Sequence, residues 1–282
     1  ETGASQKSQG QTLVAAEANM LMSETAFLEL LGLKAGASVA LMGAGGKHTL
    51  MARLKQELTA AGMPVLLTSS TNLHRPAEKR DSPLFLVGQH PNWSAELTER
   101  LRQWQAVYLL EQDLGQGMLK GLEPELLIRL RRENPQAVMV IKTDGARKRA
   151  FKAPGPNEPV IPPFCDICVL IAGLDSIGRP LDERHVHRPE IVARFAEVES
   201  DTPVTPEIMA RVIAHPRAYL PRFPPGAKRV LYLSKARAEQ DRHQAREVFS
   251  RVPPGLFSLL AAGDTLSGRV EVYPQLDQRS LS

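Results

Sequence analysis

Gly43-Ala44-Gly45-Gly46-Lys47-His48-Thr49 puts three glycines and a lysine within seven residues, a combination suited to holding phosphate groups. Glycines let backbone N–H groups approach an anion closely, a helix N-terminus adds partial positive charge, and a lysine adds a mobile cation. The flanking residues predict the frame this needs. Val39-Ala40-Leu41-Met42 is a continuous apolar run, as in a strand covered on both faces. After the loop, Leu50, Leu54 and Leu58 recur every four residues and mark one apolar stripe of a helix. Gly43, Ala44, Gly45, Gly46, Lys47, His48 and Thr49 are therefore the candidate nucleotide-binding residues, with Lys47 a candidate catalytic cation. The usual phosphate-loop spacing has a glycine five positions before the Gly-Lys pair and a Ser or Thr directly after it. Leu41 and His48 stand there instead, which leaves Thr49 as the nearest hydroxyl for a magnesium ion.

Two later segments are expected to open onto the same edge. Thr68-Ser69-Ser70-Thr71 leaves a strand as four consecutive hydroxyl residues, useful beside phosphates or a hydrated metal, or simply as a turn and helix cap. Thr68 and Thr71 are its candidate ligand contacts. Asp144-Gly145-Ala146-Arg147 follows the apolar run Ala137 to Ile141, which delivers a carboxylate and a guanidinium to the sheet edge. Asp144 is the candidate second catalytic residue and, with Thr49, a candidate magnesium ligand; Arg147 is a candidate phosphate contact.

Those segments belong to a regular alternation. Strands are expected at Val39 to Met42, Val65 to Thr68, Leu84 to Val87, Ala106 to Leu110, Ala137 to Ile141, Ile167 to Ala172, Val230 to Leu233 and Leu256 to Ala261. Helices are expected at Thr49 to Ala61, Ser94 to Trp104, Glu123 to Glu133, Pro189 to Ala196, Pro206 to Ala214 and Ala238 to Phe249. This is the pattern of an α/β fold: a mostly parallel sheet flanked by helices, with ligands beyond the carboxyl ends of the strands. Residues 20–282 read as a single such domain, and residues 1–19 as a disordered extension or expression remnant. Met20, Met22, Phe27, Leu28, Leu30 and Leu31 read as core packing of a leading helix.

Composition narrows the function classes. No apolar run reaches the length of a membrane span, which argues against a membrane partner. The net charge of +4 is small and its charges are interspersed; Arg147-Lys148-Arg149 with Lys152 is the local basic cluster that suits an anionic partner. With no aromatic platform beside those charges, nucleic acid is not expected. Cys165 and Cys168 are expected to be reduced, buried thiols pointing to opposite faces of a strand. His185 and His187, two apart, share a face on an extended segment but lack a convincing third metal ligand. Lys152 and Glu158 lie among Pro154, Pro156 and Pro159, which stiffen a loop able to cover the phosphate edge.

In chain order, Gly43 to Lys47, the hydroxyl run Thr68 to Thr71, Asp144-Gly145-Ala146-Arg147 with Lys152-Ala153-Pro154, Glu158-Pro159-Val160-Ile161-Pro162, Gly173-Leu174-Asp175 and Val186-His187-Arg188-Pro189-Glu190 resemble the YqeC family. The resemblance covers about Leu21 to Ala262, and its most specific block runs from Asp144 to Glu190. It implies a P-loop NTPase-like fold and a cytoplasmic accessory role in maturing, or inserting the cofactor of, selenium-dependent molybdenum hydroxylases. The implied partners are a nucleoside triphosphate with Mg2+ and a molybdenum hydroxylase or cofactor-maturation protein. Gly43, Gly45, Gly46 and Lys47 would hold phosphates, Asp144 would face the metal, and Lys152, His187 and Arg188 would be further ligand contacts. The chain departs from the family pattern at His48, where Thr is favoured, and at Lys142, where an acid is favoured. It also has Ser234-Lys235-Ala236-Arg237 where some members carry Asn-Lys-x-Asp, so the guanine-recognising carboxylate is missing. Two readings follow: an NTP-hydrolysing maturation factor, or a non-catalytic carrier or scaffold for a nucleotide or molybdopterin phosphate.

Overall fold

The computed structural model describes residues 26–76, 82–89, 91–103 and 105–274. Its axis is β1 (Ser38–Gly43), the strand that ends in the phosphate loop and whose six residues are all buried. On one side of it lie β8 (Val138–Lys142), β2 (Val65–Ser69), β5 (Ala106–Leu110) and β4 (Leu84–Leu86). On the other lie β10 (Ile167–Gly173), β12 (Lys228–Ser234), β13 (Leu259–Asp264) and β14 (Arg269–Tyr273). Neighbouring strands are parallel throughout this nine-stranded sheet except for the antiparallel pair β13 and β14. From β1 the chain runs outward to one side and later returns to fill the other, so the carboxyl end of β1 lies at the point where strand order reverses. Such a point leaves a crevice between diverging loops.

Alternation along each strand divides the core into two layers. Val39, Leu41, Val65, Leu67, Val138 and Val140 pack against α1 (Phe27–Leu31) and α2 (Lys47–Ala60), which contribute Phe27, Leu31, Leu50, Leu54 and Leu58. Ala40, Met42, Leu66, Met139 and Ile141 face the other way. They meet α3 (Trp93–Arg102), α4 (Pro124–Glu133), α5 (Pro189–Ala196), α6 (Pro206–Ala214) and α7 (Glu239–Arg251), whose core residues include Leu97, Leu127, Val192, Met209 and Val248. The apolar runs read from sequence are continuous because both faces of these strands are covered.

The α/β architecture expected from the alternation is present, and all eight expected strands and six expected helices form. The largest shift of a strand start is at β13, expected from Leu256 and beginning at Leu259. Two small sheets and the edge strand β14 were not anticipated. One small sheet joins β3 (Leu73–His74), β7 (Met118–Lys120) and β6 (Gln112–Gly115); the other pairs β9 (Phe151–Lys152) with β11 (Val186–His187). Their strands are too short to show a period, although Gly115-Gln116-Gly117 between β6 and β7 has three successive positive φ angles and is a legible hairpin turn. The cysteine expectation is corrected in part. Both thiols are free and buried, but they belong to the same core layer, because Cys165 precedes β10 rather than lying on it. Burial raises both thiols, Cys168 to about 12. Residues 1–25, including the expected extension, Met20 and Met22, lie outside the described residues.

Leu41 is fully buried at the centre of the sheet. Leu41→Ala is expected to lower unfolding free energy by about 2–5 kcal/mol. Leu266→Ala, at an exposed turn position, should stay within about 0.5 kcal/mol; urea titration followed by circular dichroism measures both.

Candidate functional site

The turn out of β1 is set by backbone crowding. Gly45 has φ of +85°, and a Cβ there would lie 2.5 Å from the Gly173 nitrogen and 2.6 Å from the Ala150 carbonyl oxygen, both backbone atoms that cannot step aside. Only glycine lets the loop pass between β10 and the segment that precedes β9. The loop is tied down on the same side: Ala44 N–H donates to Ile171 O at 2.8 Å and Gly45 N–H to Arg149 O at 3.2 Å. The Ser234 hydroxyl at the end of β12 donates to Gly45 O. Gly43 N–H donates to Asp144 Oδ2 at 2.9 Å. The protein itself therefore engages the amides of residues 43 to 45, and the phosphate-facing set is narrower than the whole loop. Gly46 is the N-cap of α2 and supplies no side-chain cap, and the first helical bond is Leu50 N–H to Gly46 O. The N–H groups of Gly46, Lys47, His48 and Thr49 have no partner among the described residues, and the helix dipole points the same way.

A line of alternating charge runs behind the loop. Lys47 Nζ lies 2.9 Å from Asp144 Oδ1, and Lys152 Nζ lies 3.0 Å from Asp144 Oδ2 and 3.0 Å from Glu158 Oε2. Arg188 donates to Glu158 Oε2 at 2.6 Å and closes the line. Lys47 also donates to Gly43 O, folding back on its own loop. Burial by itself would push the Asp144 pKa up, but Lys47, Lys152 and the Gly43 N–H outweigh it and hold the carboxyl below its usual range. Burial lowers the Lys47 pKa against the opposing pull of Asp144.

In front of the loop is a cavity of about 610 Å³, within the range of small-molecule sites. Lys47, Lys142, Arg147, Lys148, Arg149 and Lys235 line it, together with His48, His74 and a single acid, Glu158. Lys142 Nζ is held by Thr71 Oγ1 at 3.0 Å and Asn72 O at 2.7 Å. Burial and then repulsion from Lys47 lower its pKa to about 7. His48 is exposed at the cavity, and desolvation by the surrounding wall, followed by Lys142, lowers its pKa.

Of the residues singled out in the sequence, Gly45, Gly46, Lys47, His48, Thr49, Thr71 and Arg147 reach this cavity. Gly43 and Ala44 are buried beneath it, and Asp144 contacts Lys47 from behind. Thr68 turns into the sheet and donates to Leu109 O at 2.7 Å. Lys152, paired in register with His187 across β9 and β11, is buried, and Arg188 caps α5 from the left-handed region. These three do not line the cavity; Lys152 and Arg188 connect to it through Glu158. His74 and Met118 enter it from β3 and β7 without any local sequence signal, and Lys235, from the Ser234-Lys235-Ala236-Arg237 segment, enters it from the end of β12. Lys235 pairs with Asp175 at 2.6 Å, whereas Arg237 turns away to Asp264 at 3.1 Å.

The residues present do not fit a resident magnesium ion. Magnesium needs oxygen donors in near-octahedral geometry. Asp144 Oδ1 has no hydrogen bond of its own, and the ammonium of Lys47 fills the place beside it that a cation would take. Oδ2 is shared between Lys152 and Gly43, and Glu158 is held by Lys152 and Arg188. Among the described residues no three His, Cys, Asp or Glu side chains group as a metal site. Thr49 lines the cavity, whose single acid, Glu158, is already held by Lys152 and Arg188.

A parallel sheet, a glycine turn leading into a helix, and a lysine held against an acid at the end of the neighbouring strand define a P-loop-like α/β protein. The model of the YqeC protein family matches residues 39–190, which contain the loop, Asp144 and the charge line. The chain belongs to the YqeC family. It is similar to Uncharacterized protein YqeC of Escherichia coli (strain K12), 25% identical over 203 residues that span 70% of this chain and 75% of that protein.

Breaking a buried ion pair strands its partner, whereas an exposed pair contributes little. Lys152→Met leaves Asp144 and Glu158 without their shared cation and should cost about 3–5 kcal/mol in urea unfolding. Arg251→Met, which removes an exposed pair with Glu247, should cost no more than about 1 kcal/mol.

Proposed function

We propose that this chain is a nucleotide-binding accessory protein acting in the cytoplasm on the maturation or cofactor loading of selenium-dependent molybdenum hydroxylases. The phosphate-binding part rests on one observation: the free N–H groups at the start of α2 open onto a cavity whose wall carries six Lys and Arg side chains against one acid. A polyphosphate chain satisfies that field, and the cavity has room for the nucleoside attached to it. The accessory role, and a molybdenum hydroxylase or cofactor-maturation protein as partner, rest on the family resemblance. Among the described residues no helix is long and apolar enough to cross a membrane.

Two modes are open to such a protein, and Asp144 discriminates between them. Hydrolysis requires a group that orients water or metal at the transferring phosphate. Both oxygens of Asp144 instead face lysines within 3.0 Å, and the carboxylate lies behind the loop. That favours the carrier or scaffold, which holds a nucleotide or a molybdopterin phosphate without cleaving it.

Calorimetric titration with ATP, GTP and CTP, followed by a phosphate-release assay, tests the reading. Binding without phosphate release above background is expected, and Lys47→Ala should weaken the affinity at least tenfold by removing one charge-assisted contact. No binding of any of the three would overturn the nucleotide assignment. Steady phosphate release abolished in Lys47→Ala would select the hydrolytic mode.

A further inference from the structure

We propose that the site takes its polyphosphate free of divalent metal, with Lys142 and Lys47 supplying the positive charge that magnesium supplies in phosphate-loop NTPases. This rests on the nucleotide reading above and narrows it to a chemical form of the ligand.

The first support is the placement of Lys142. It is the last residue of β8, the strand hydrogen-bonded beside β1, in register with Leu41 just before the loop. An acid delivered there could reach a metal at the phosphates; a lysine delivers the positive charge itself. Thr71 Oγ1 and the Asn72 carbonyl anchor the ammonium on one side, while the side chain borders the cavity on the other. A polyphosphate beside this amine favours its protonated form, and an ammonium has three protons. Two are thus engaged by the protein, and the third remains for a ligand oxygen.

The second support is the pairing of both carboxylates that could have held the metal. The position after Lys47 carries an imidazole, Asp144 lies between two ammonium groups, and Glu158 is shared by Lys152 and Arg188. A divalent ion entering this cavity meets six like-charged side chains and no unpaired carboxylate among the described residues. Phosphate oxygens that lose a magnesium ion meet Lys47, Lys142 and Arg147 instead.

The test is calorimetric titration of the full chain with ATP and with inorganic tripolyphosphate, in EDTA and in excess magnesium chloride. Affinity in EDTA is expected to equal or exceed that in magnesium, because magnesium competes with the lysines for the same oxygens. Binding at least tenfold tighter in magnesium overturns this proposal and leaves the nucleotide assignment standing. Absence of binding in both buffers overturns the nucleotide assignment, and this proposal with it. Lys142→Asp should weaken binding in EDTA at least tenfold, with magnesium restoring part of the loss; unchanged binding in EDTA overturns the role of Lys142. Lys142→Gln, which keeps a donor toward Thr71 and Asn72 without the charge, replaces it if circular dichroism shows the aspartate variant unfolded, and carries the same tenfold criterion in EDTA.

Discussion

A carboxylate with no exposure to water holds the functional end of this protein together. Asp144 lies at the end of β8 and accepts from the Gly43 amide while facing the ammonium groups of Lys47 and Lys152. An isolated charge at that depth would be too costly to bury, so the loop, the lysine at the start of α2 and β9 must all be in place around it. Through Lys152 the constraint passes to Glu158 and from there to Arg188 at the N-cap of α5. Five charges of alternating sign thereby couple the phosphate loop to the segment between Asp144 and Arg188, which lies within the residues the family model matches.

The same constraint explains why the cavity in front is so positive. Asp144 and Glu158 are taken up in balancing Lys47, Lys152 and Arg188, and no other acid lines the cavity among the described residues. The overall charge of +4 gives no hint of this. What a ligand meets is the local wall, where Lys142, Lys148, Arg149 and Lys235 join Lys47 and Arg147. Charge segregated within a crevice focuses field on one spot, and a low-dielectric wall strengthens the effect. This electrostatic design is what supports the anion-binding role proposed above.

Much of the architecture was legible because its causes are local. Strands covered on both faces must be apolar without interruption, and helices laid on a sheet must show a stripe every three or four residues; Val39 to Met42 and Leu50, Leu54 and Leu58 meet those conditions. The glycines of the loop were legible for the same reason, since a turn with φ of +85° at Gly45 admits little else. Side-chain direction at the strand ends was not. Thr68 and Thr71 are three apart in one hydroxyl run, yet Thr68 bonds to a neighbouring strand while Thr71 anchors Lys142 at the cavity. Cys165 and Cys168 share a layer because the strand begins between them.

By itself the sequence determined the alternation of strands and helices, the place of the glycine turn and the delivery of an acid to the sheet edge, because each depends on residues within a few positions of one another. Tertiary structure decided which groups meet. Gly43 and Asp144 are 101 residues apart, and Gly45 and Ser234 are 189 apart. Contacts at such separations follow from the order in which strands take their places beside β1, and no local period encodes that order. The engaged amides of residues 43 to 45, the displacement of Lys152, His187 and Arg188 from the cavity, and the entry of His74 and Lys235 into it all have this origin.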